Sequence, residues 1–107
     1  MEARPKELRN YVDENGEEPF QTWLDGLDVR MRGIVRVRLR RVENGNLGDS
    51  HGVGEGVSEL VIDVGPGYRV YFGQEGDIIV LLTGGHKKTQ PKDIEKAKVF
   101  WREYRDA

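Results

Sequence analysis

Two short segments of the sequence concentrate side chains that could bind a phosphate. In YRVYF, Arg69 is the only Lys or Arg between residues 42 and 83. In GGHKK, His86, Lys87 and Lys88 follow two glycines at the end of the next predicted strand. A planar guanidinium and two ammonium groups complement a phosphate. The structural alternatives are an ion pair of Arg69 with an acid across the strand and a solvated basic turn.

A third basic block occupies residues 29–41, which contain six arginines and no Asp or Glu. The arginines fill the polar face of a predicted amphipathic helix, without interleaved acids for i, i+4 pairing. We therefore expect an acidic partner to meet them, either an RNA backbone or an acidic protein segment. The net charge of -2 does not argue against this, because confined basic blocks can present a basic surface to a polyanion.

Other chemistries lack the residues that they need. The sequence has no cysteine, which excludes a disulfide framework, a thiol nucleophile and a Cys-based zinc site. The two histidines, His51 and His86, lie in different segments without a spaced carboxylate partner. GVGEG lacks the flanking strand and helix and the Lys-Ser/Thr of a phosphate-binding loop. We expect neither a metal nor a cofactor.

Length and composition predict one soluble, globular domain over residues 1–107. Hydrophobic residues make up 36% and charged residues 34%, too apolar for a disordered chain. No run approaches the roughly 20 apolar residues of a membrane-spanning helix. The N-terminal MEARPKELRN lacks the apolar region of a secretory signal, so a cytoplasmic protein is expected.

The first half of the chain predicts a strand followed by two helices. The strand is expected at residues 6–12, and Pro19 opens a helix that Gly26 ends. Asp28 caps a second helix that runs to about Val42. The short connection predicts an antiparallel helical hairpin with its apolar faces on a common core.

The second half predicts an antiparallel meander and a last helix. The Gly-rich residues 43–56 are expected to be a loop. Strands are predicted at residues 57–64, 68–73 and 78–83, and Pro91 opens the C-terminal helix. The result is an α+β fold of order β-α-α-β-β-β-α, with the helical hairpin and the C-terminal helix packed on the sheet.

Alternation along the first hairpin divides its side chains between two faces. If Ile62 pairs with Val70, Arg69 lies directly across from Asp63. The apolar face, predicted to join the core, holds Leu60, Ile62, Tyr68, Val70 and Phe72. The opposite face, predicted to be a working surface, holds Glu59, Val61, Asp63, Arg69 and Tyr71.

Four segments spread over almost the whole chain together resemble the RelE/ParE superfamily of toxins from bacterial toxin-antitoxin modules. They are EPFQTWLDGLD, RRVENGNLGDSHGVGEGVSEL, GPGYRVYF and LLTGGHKKTQPKDIEKA. The closest likeness is to the HigB-like branch of addiction-module killer proteins. GxGYRVYF combined with GG-x-K-x-x-Q-x-x-DI-x-x-A is specific, whereas either motif alone is weak. The resemblance implies a RelE/ParE-like fold and a toxin that a cognate antitoxin, encoded beside it, neutralises.

For this branch the resemblance also implies metal-independent cleavage of mRNA on the ribosome, in which the 2'-hydroxyl of the substrate attacks the adjacent phosphate. Arg69 matches the sheet arginine of the family and would hold the phosphate. Lys87 matches the lysine of the second motif and would stabilise the transition state. Glu59, Tyr71 and His86 are candidates for proton transfer or base contact.

Further RNA contacts are expected from Lys88, Arg36, Arg40 and His51. The antitoxin is expected to contact the arginines of the second helix or an exposed sheet edge. Two alternatives stay open, a ParE-like inhibitor of DNA gyrase without catalysis and a non-catalytic RNA-binding relative. The fold does not decide between these targets, and Val61 stands where members of this branch often carry an arginine.

Overall fold

The computed structural model describes residues 4–107, which form an α+β fold of one five-stranded sheet and three α-helices. A short 3-10 turn, Lys87–Thr89, connects the last strand to the last helix. The elements are β1 (Glu7–Asn10), α1 (Pro19–Asp25), α2 (Val29–Glu43), β2 (Ser50–Gly54), β3 (Val57–Ile62), β4 (Tyr68–Glu75), β5 (Ile78–His86) and α3 (Gln90–Asp106).

The sheet is mixed, with the strand order β1-β5-β4-β3-β2. The predicted meander of three strands is confirmed as β3, β4 and β5, which pair antiparallel. Two expectations are corrected. β1 pairs parallel with β5, and Ser50–Gly54, expected to be part of a loop, forms the edge strand β2 against β3. Two glycines within β2 weaken the sequence pattern of a strand. The pairing of β2 with β3 depends on the neighbouring strand and is not visible in the residues of β2 alone.

The helix boundaries agree with the predicted start and stop signals. Pro19 occupies the first turn of α1, and Gly26 follows its end. The Asp28 carboxylate accepts a hydrogen bond of 2.9 Å from the Met31 backbone N–H, which satisfies one free donor at the start of α2. No helix within residues 4–107 is long and apolar enough to cross a membrane.

Helices cover both faces of the sheet. α1 and α2 pack on the face that was predicted to be apolar, where Leu60, Ile62, Val70 and Phe72 are buried. α3 packs on the other face through Ala97 and Trp101. This second face was expected to be a working surface. It instead contains a second apolar cluster, and the polar side chains on it lie at the margin of α3.

The pairing of β3 with β4 differs from the predicted register by two residues. Leu60 pairs with Val70 and Ile62 with Tyr68, because β3 ends before Asp63 and a five-residue connection replaces the tighter turn. A shift of two residues preserves the alternation. The predicted division into two faces is therefore confirmed, whereas the predicted cross-strand partners are wrong.

A glycine substitution can test the packing of α3 on the sheet. A Cβ at Gly73 would overlap the buried ring of Trp101. We expect Gly73→Ala to lower the free energy of unfolding by about 1–3 kcal/mol through overpacking, measured by urea denaturation.

Gly33→Ala is the matched control, because a Cβ at this helical position has nothing within 4 Å. It should raise the free energy of unfolding by about 0.5–1 kcal/mol through higher helix propensity. Equal effects of the two substitutions would show that Trp101 does not rest on Gly73.

Candidate functional site

A row of side chains runs across four neighbouring strands on the sheet face that α3 covers. His51 of β2 pairs with Glu59 of β3, Glu59 pairs with Tyr71 of β4, and Tyr71 pairs with Thr83 of β5. Directly paired residues point to the same side of a sheet. Pairing therefore brings together three of the residues singled out in the sequence, although 20 positions separate the first from the last.

Glu59 lies at the centre of this row and is almost completely buried, with a side-chain exposure of 1%. Its Oε1 lies 3.1 Å from Nε2 of His51. Its Oε2 accepts a hydrogen bond of 2.8 Å from Nε2 of Gln90 and lies 3.7 Å from Nε of Arg69. A buried carboxylate needs such partners, because losing its hydration costs several kcal/mol. Residues from β2, β4 and α3 supply them.

The backbone carbonyl of Gly67 brings the two predicted phosphate-binding cations together. It accepts one hydrogen bond of 3.1 Å from Nη1 of Arg69 and another of 2.9 Å from the backbone N–H of Lys87. Gly67 has a φ of 79°, a conformation that glycine adopts without strain. Arg69 is mostly buried, whereas Lys87 is exposed. The arginine is thus held in place, and the lysine extends into solvent beside it.

The acidic partner of Arg69 differs from the predicted one. An ion pair with Asp63 was the structural alternative for Arg69, but in the observed register Val61 lies across from Arg69 and Asp63 is exposed. Glu59, on the same face and two residues before Val61, is the carboxylate within ion-pair distance. The separation of 3.7 Å exceeds a hydrogen bond, and Nε of Arg69 has no hydrogen-bond partner within residues 4–107.

Tyr71 is completely buried, so it does not belong to an exposed surface. Its hydroxyl lacks a hydrogen-bond partner within the described part of the chain. Burial raises the pKa of Tyr71 above its ordinary value of 10.0, and the negative charge of Glu59 acts in the same direction. The hydroxyl is therefore kept protonated and away from solvent.

Sequence reasoning missed Gln90, the residue at the start of α3 that donates to Glu59. It also missed Asp93, which is buried and accepts a hydrogen bond from the Thr89 hydroxyl. Gln90 belongs to the GG-x-K-x-x-Q segment, but its partner lies 31 residues away in the chain. The sequence signal for Gln90 was that a polar residue stands at the start of the last helix, where this helix returns to the sheet.

The remaining predicted site residues lie outside this cluster. His86 pairs with Tyr68, which places it on the opposite sheet face from Arg69. Lys88 is exposed on the 3-10 turn. Arg36 and Arg40 are exposed on α2, the helix that packs on the other face. The structure thus brings together His51, Glu59, Arg69 and Tyr71, places Lys87 beside them and separates the rest.

Comparison with known proteins identifies a bacterial relative. No family model matches the chain. An uncharacterized protein of Haemophilus influenzae is 44% identical over 86 residues, which cover 78% of this chain and 87% of that protein. Identity at this level over most of both chains indicates common descent.

The raised pKa of Tyr71 predicts a loss of stability at high pH. Above pH 10 or so, an unfolded chain ionises its tyrosines while the folded chain keeps Tyr71 protonated. The free energy of unfolding should therefore fall by up to about 1.4 kcal/mol per pH unit for this group. Urea denaturation between pH 8 and 11 measures the slope.

Tyr71→Phe should reduce this slope, and Tyr11→Phe should reduce it independently, because burial also raises the pKa of Tyr11. At pH 8, Tyr71→Phe should cost little, since it removes an unpaired buried hydroxyl. A Tyr71→Phe variant with the wild-type slope would contradict the assignment.

Proposed function

The chain belongs to the same family as the Haemophilus influenzae protein, and we propose that it is the toxin of a type II toxin-antitoxin module. In this proposal it has a RelE/ParE-like fold of the HigB-like branch and acts in the cytoplasm as a ribosome-dependent mRNA endonuclease. The order of elements supports the proposal, since it differs from the expected order by the added strand β2 alone. The reaction needs no metal or cofactor.

The observation that carries the proposal is the way in which Arg69 is held. Its Nη1 is fixed on the Gly67 carbonyl, and its buried Nε lies 3.7 Å from the Glu59 carboxylate. A guanidinium fixed at one nitrogen keeps its planar fork oriented for a phosphate. Lys87, anchored on the same carbonyl, can add a second positive charge.

Cleavage by the 2'-hydroxyl of the substrate sets three chemical requirements. A base must take the hydroxyl proton, cations must stabilise the phosphate as it gains bonds, and the leaving 5'-oxygen must receive a proton. Arg69 and Lys87 meet the second requirement. Glu59 and Tyr71 are too deeply buried to touch RNA directly, so within this site they act on groups that reach the substrate.

The surface of α2 supports the proposal of an acidic protein partner. None of its six arginines has a carboxylate within 4 Å in residues 4–107. A cavity of about 550 Å³ lies between α2 and the end of β3, lined by Ile34, Val37 and Val61 and bordered by arginines. One of them, Arg38, has a buried Nη1 without a partner in the described residues. An antitoxin segment with carboxylates beside apolar side chains would match this cavity.

The activity is tested by removing the phosphate-binding arginine. We expect Arg69→Ala to lower mRNA cleavage by roughly 10²- to 10³-fold, the usual effect of losing one charge-stabilising group from a transition state. Transcript 5'-end mapping after brief induction measures cleavage, with growth recorded in parallel. Wild-type ends should occur in phase with codons.

The matched control is Arg9→Ala, which removes an exposed arginine paired with Glu7. It should cleave like the wild type, and circular dichroism should show that both variants fold. Growth arrest without new ends would support the gyrase alternative. Unchanged cleavage by Arg69→Ala would refute the site.

The antitoxin surface is tested by charge reversal on α2. Arg36→Glu combined with Arg40→Glu should weaken binding of the protein encoded beside the toxin by at least about tenfold, because like charges then face each other. Calorimetric titration measures the affinity. The control is the double reversal of Arg102 and Arg105 on α3, which should leave affinity unchanged. Equal affinities for both double variants would exclude the α2 arginines from the contact.

A further inference from the structure

His51 differs from the other polar residues of the site because it joins the buried carboxylate to solvent. Its side chain is 55% exposed, whereas that of Glu59 is 1% exposed. Strand pairing fixes the two residues opposite each other, with Nε2 of His51 at 3.1 Å from Oε1 of Glu59. The sequence had placed His51 in a loop, where its position would be undetermined.

We propose that His51 is the general base of the site, with Glu59 and Gln90 as positioning residues behind it. This inference rests on the proposed endonuclease function and gives the proton-accepting role to a residue expected merely to contact RNA. The three residues form a line. Gln90 donates to Oε2 of Glu59, and Oε1 of Glu59 faces His51, whose other ring nitrogen remains available to the substrate.

The geometry favours this arrangement for a physical reason. A carboxylate oxygen 3.1 Å from Nε2 favours a proton on that nitrogen, which leaves Nδ1 of a neutral imidazole unprotonated and able to accept a proton. The negative charge of Glu59 also stabilises the imidazolium that then forms, as in other base–carboxylate pairs. Gln90 keeps the carboxylate from turning away from the ring.

The other candidates for the base are less well placed. Glu59 and Tyr71 are out of contact with solvent. His86 lies on the opposite sheet face from Arg69, and its Nδ1 is buried without a partner in the described residues. His51 and Arg69, in contrast, flank the same carboxylate.

The proposed cleavage is a transesterification within the RNA. Nδ1 of His51 takes the proton of the 2'-hydroxyl while the 2'-oxygen forms a bond to the adjacent phosphorus. The bond from phosphorus to the 5'-oxygen breaks, and the leaving oxygen takes a proton from water. The products are a 2',3'-cyclic phosphate and a 5'-hydroxyl end, and His51 returns its proton to solvent.

Cleavage of an in vitro transcript during translation by purified components tests the proposal. His51→Gln retains an N–H donor for Glu59 but cannot accept a proton, so we expect cleavage to fall by roughly 10²- to 10⁴-fold. His51→Ala should fall equally, and added imidazole should partly restore it. A residue with a merely structural role would not respond to imidazole.

The roles of Gln90 and Glu59 as positioning residues are tested by measuring the ¹⁵N shifts of the His51 imidazole. In the wild type the ¹⁵N shifts of the neutral form of His51 should show Nε2 as the protonated nitrogen and Nδ1 as the unprotonated one. Gln90→Ala and Glu59→Gln should shift this tautomer ratio and lower the maximal rate more than the affinity for programmed ribosomes. Gln74→Ala and Glu75→Gln, exposed at the far end of β4, are the matched controls and should change neither readout.

The outcomes separate this inference from the proposed function. A wild-type protein that does not cleave the transcript overturns both. A wild-type protein that cleaves, together with a fully active His51→Gln variant, overturns the inference alone. Loss of cleavage in His51→Ala without rescue by imidazole, combined with an unchanged tautomer ratio in Gln90→Ala, also overturns it.

Discussion

The buried carboxylate of Glu59 is the constraint on which the arrangement of the site depends. A carboxylate with 1% exposure is retained only if partners replace its hydration. Those partners come from β2, β4 and α3. The carboxylate therefore ties the edge strand, the centre of the sheet and the start of the last helix to one point. Moving any one of these elements would remove one of the partners of a buried carboxylate.

The position of Glu59 also explains why the sheet is covered by helices on both faces and still has a polar region. Alternation directs Leu60 and Val70 to the core under α1 and α2, and directs Glu59, Arg69 and Tyr71 to the face of α3. Trp101 fills the far part of that face. The N-terminus of α3 then closes over Glu59 with a glutamine, where an apolar residue would leave Oε2 of the carboxylate without a hydrogen-bond donor.

Much of the fold follows from local sequence patterns. The features that these patterns do not predict are contacts between segments that lie far apart in the chain. The helix start at Pro19, the cap at Asp28 and the two faces of the sheet depend on neighbouring residues, so local sequence patterns predict them. Strand β2 was missed because its glycines give no alternation. The pairing of Arg69 with Asp63 was wrong because alternation fixes the face of a residue and leaves its partner to the length of the turn.

Within the proposed function, the α2 arginines and the pair of Arg69 and Lys87 form two separate basic surfaces. Their separation bears on how an antitoxin neutralises the toxin. The α2 arginines lie on the opposite side of the sheet from Arg69, so a partner bound at α2 alone does not contact the phosphate-binding group. Within the proposed function, such a partner would prevent cleavage by adding bulk to the toxin and so hindering its approach to the mRNA. In the proposed function, binding at α2 would leave the row from His51 to Tyr71 intact, and release of the partner would restore activity without a rearrangement of this row.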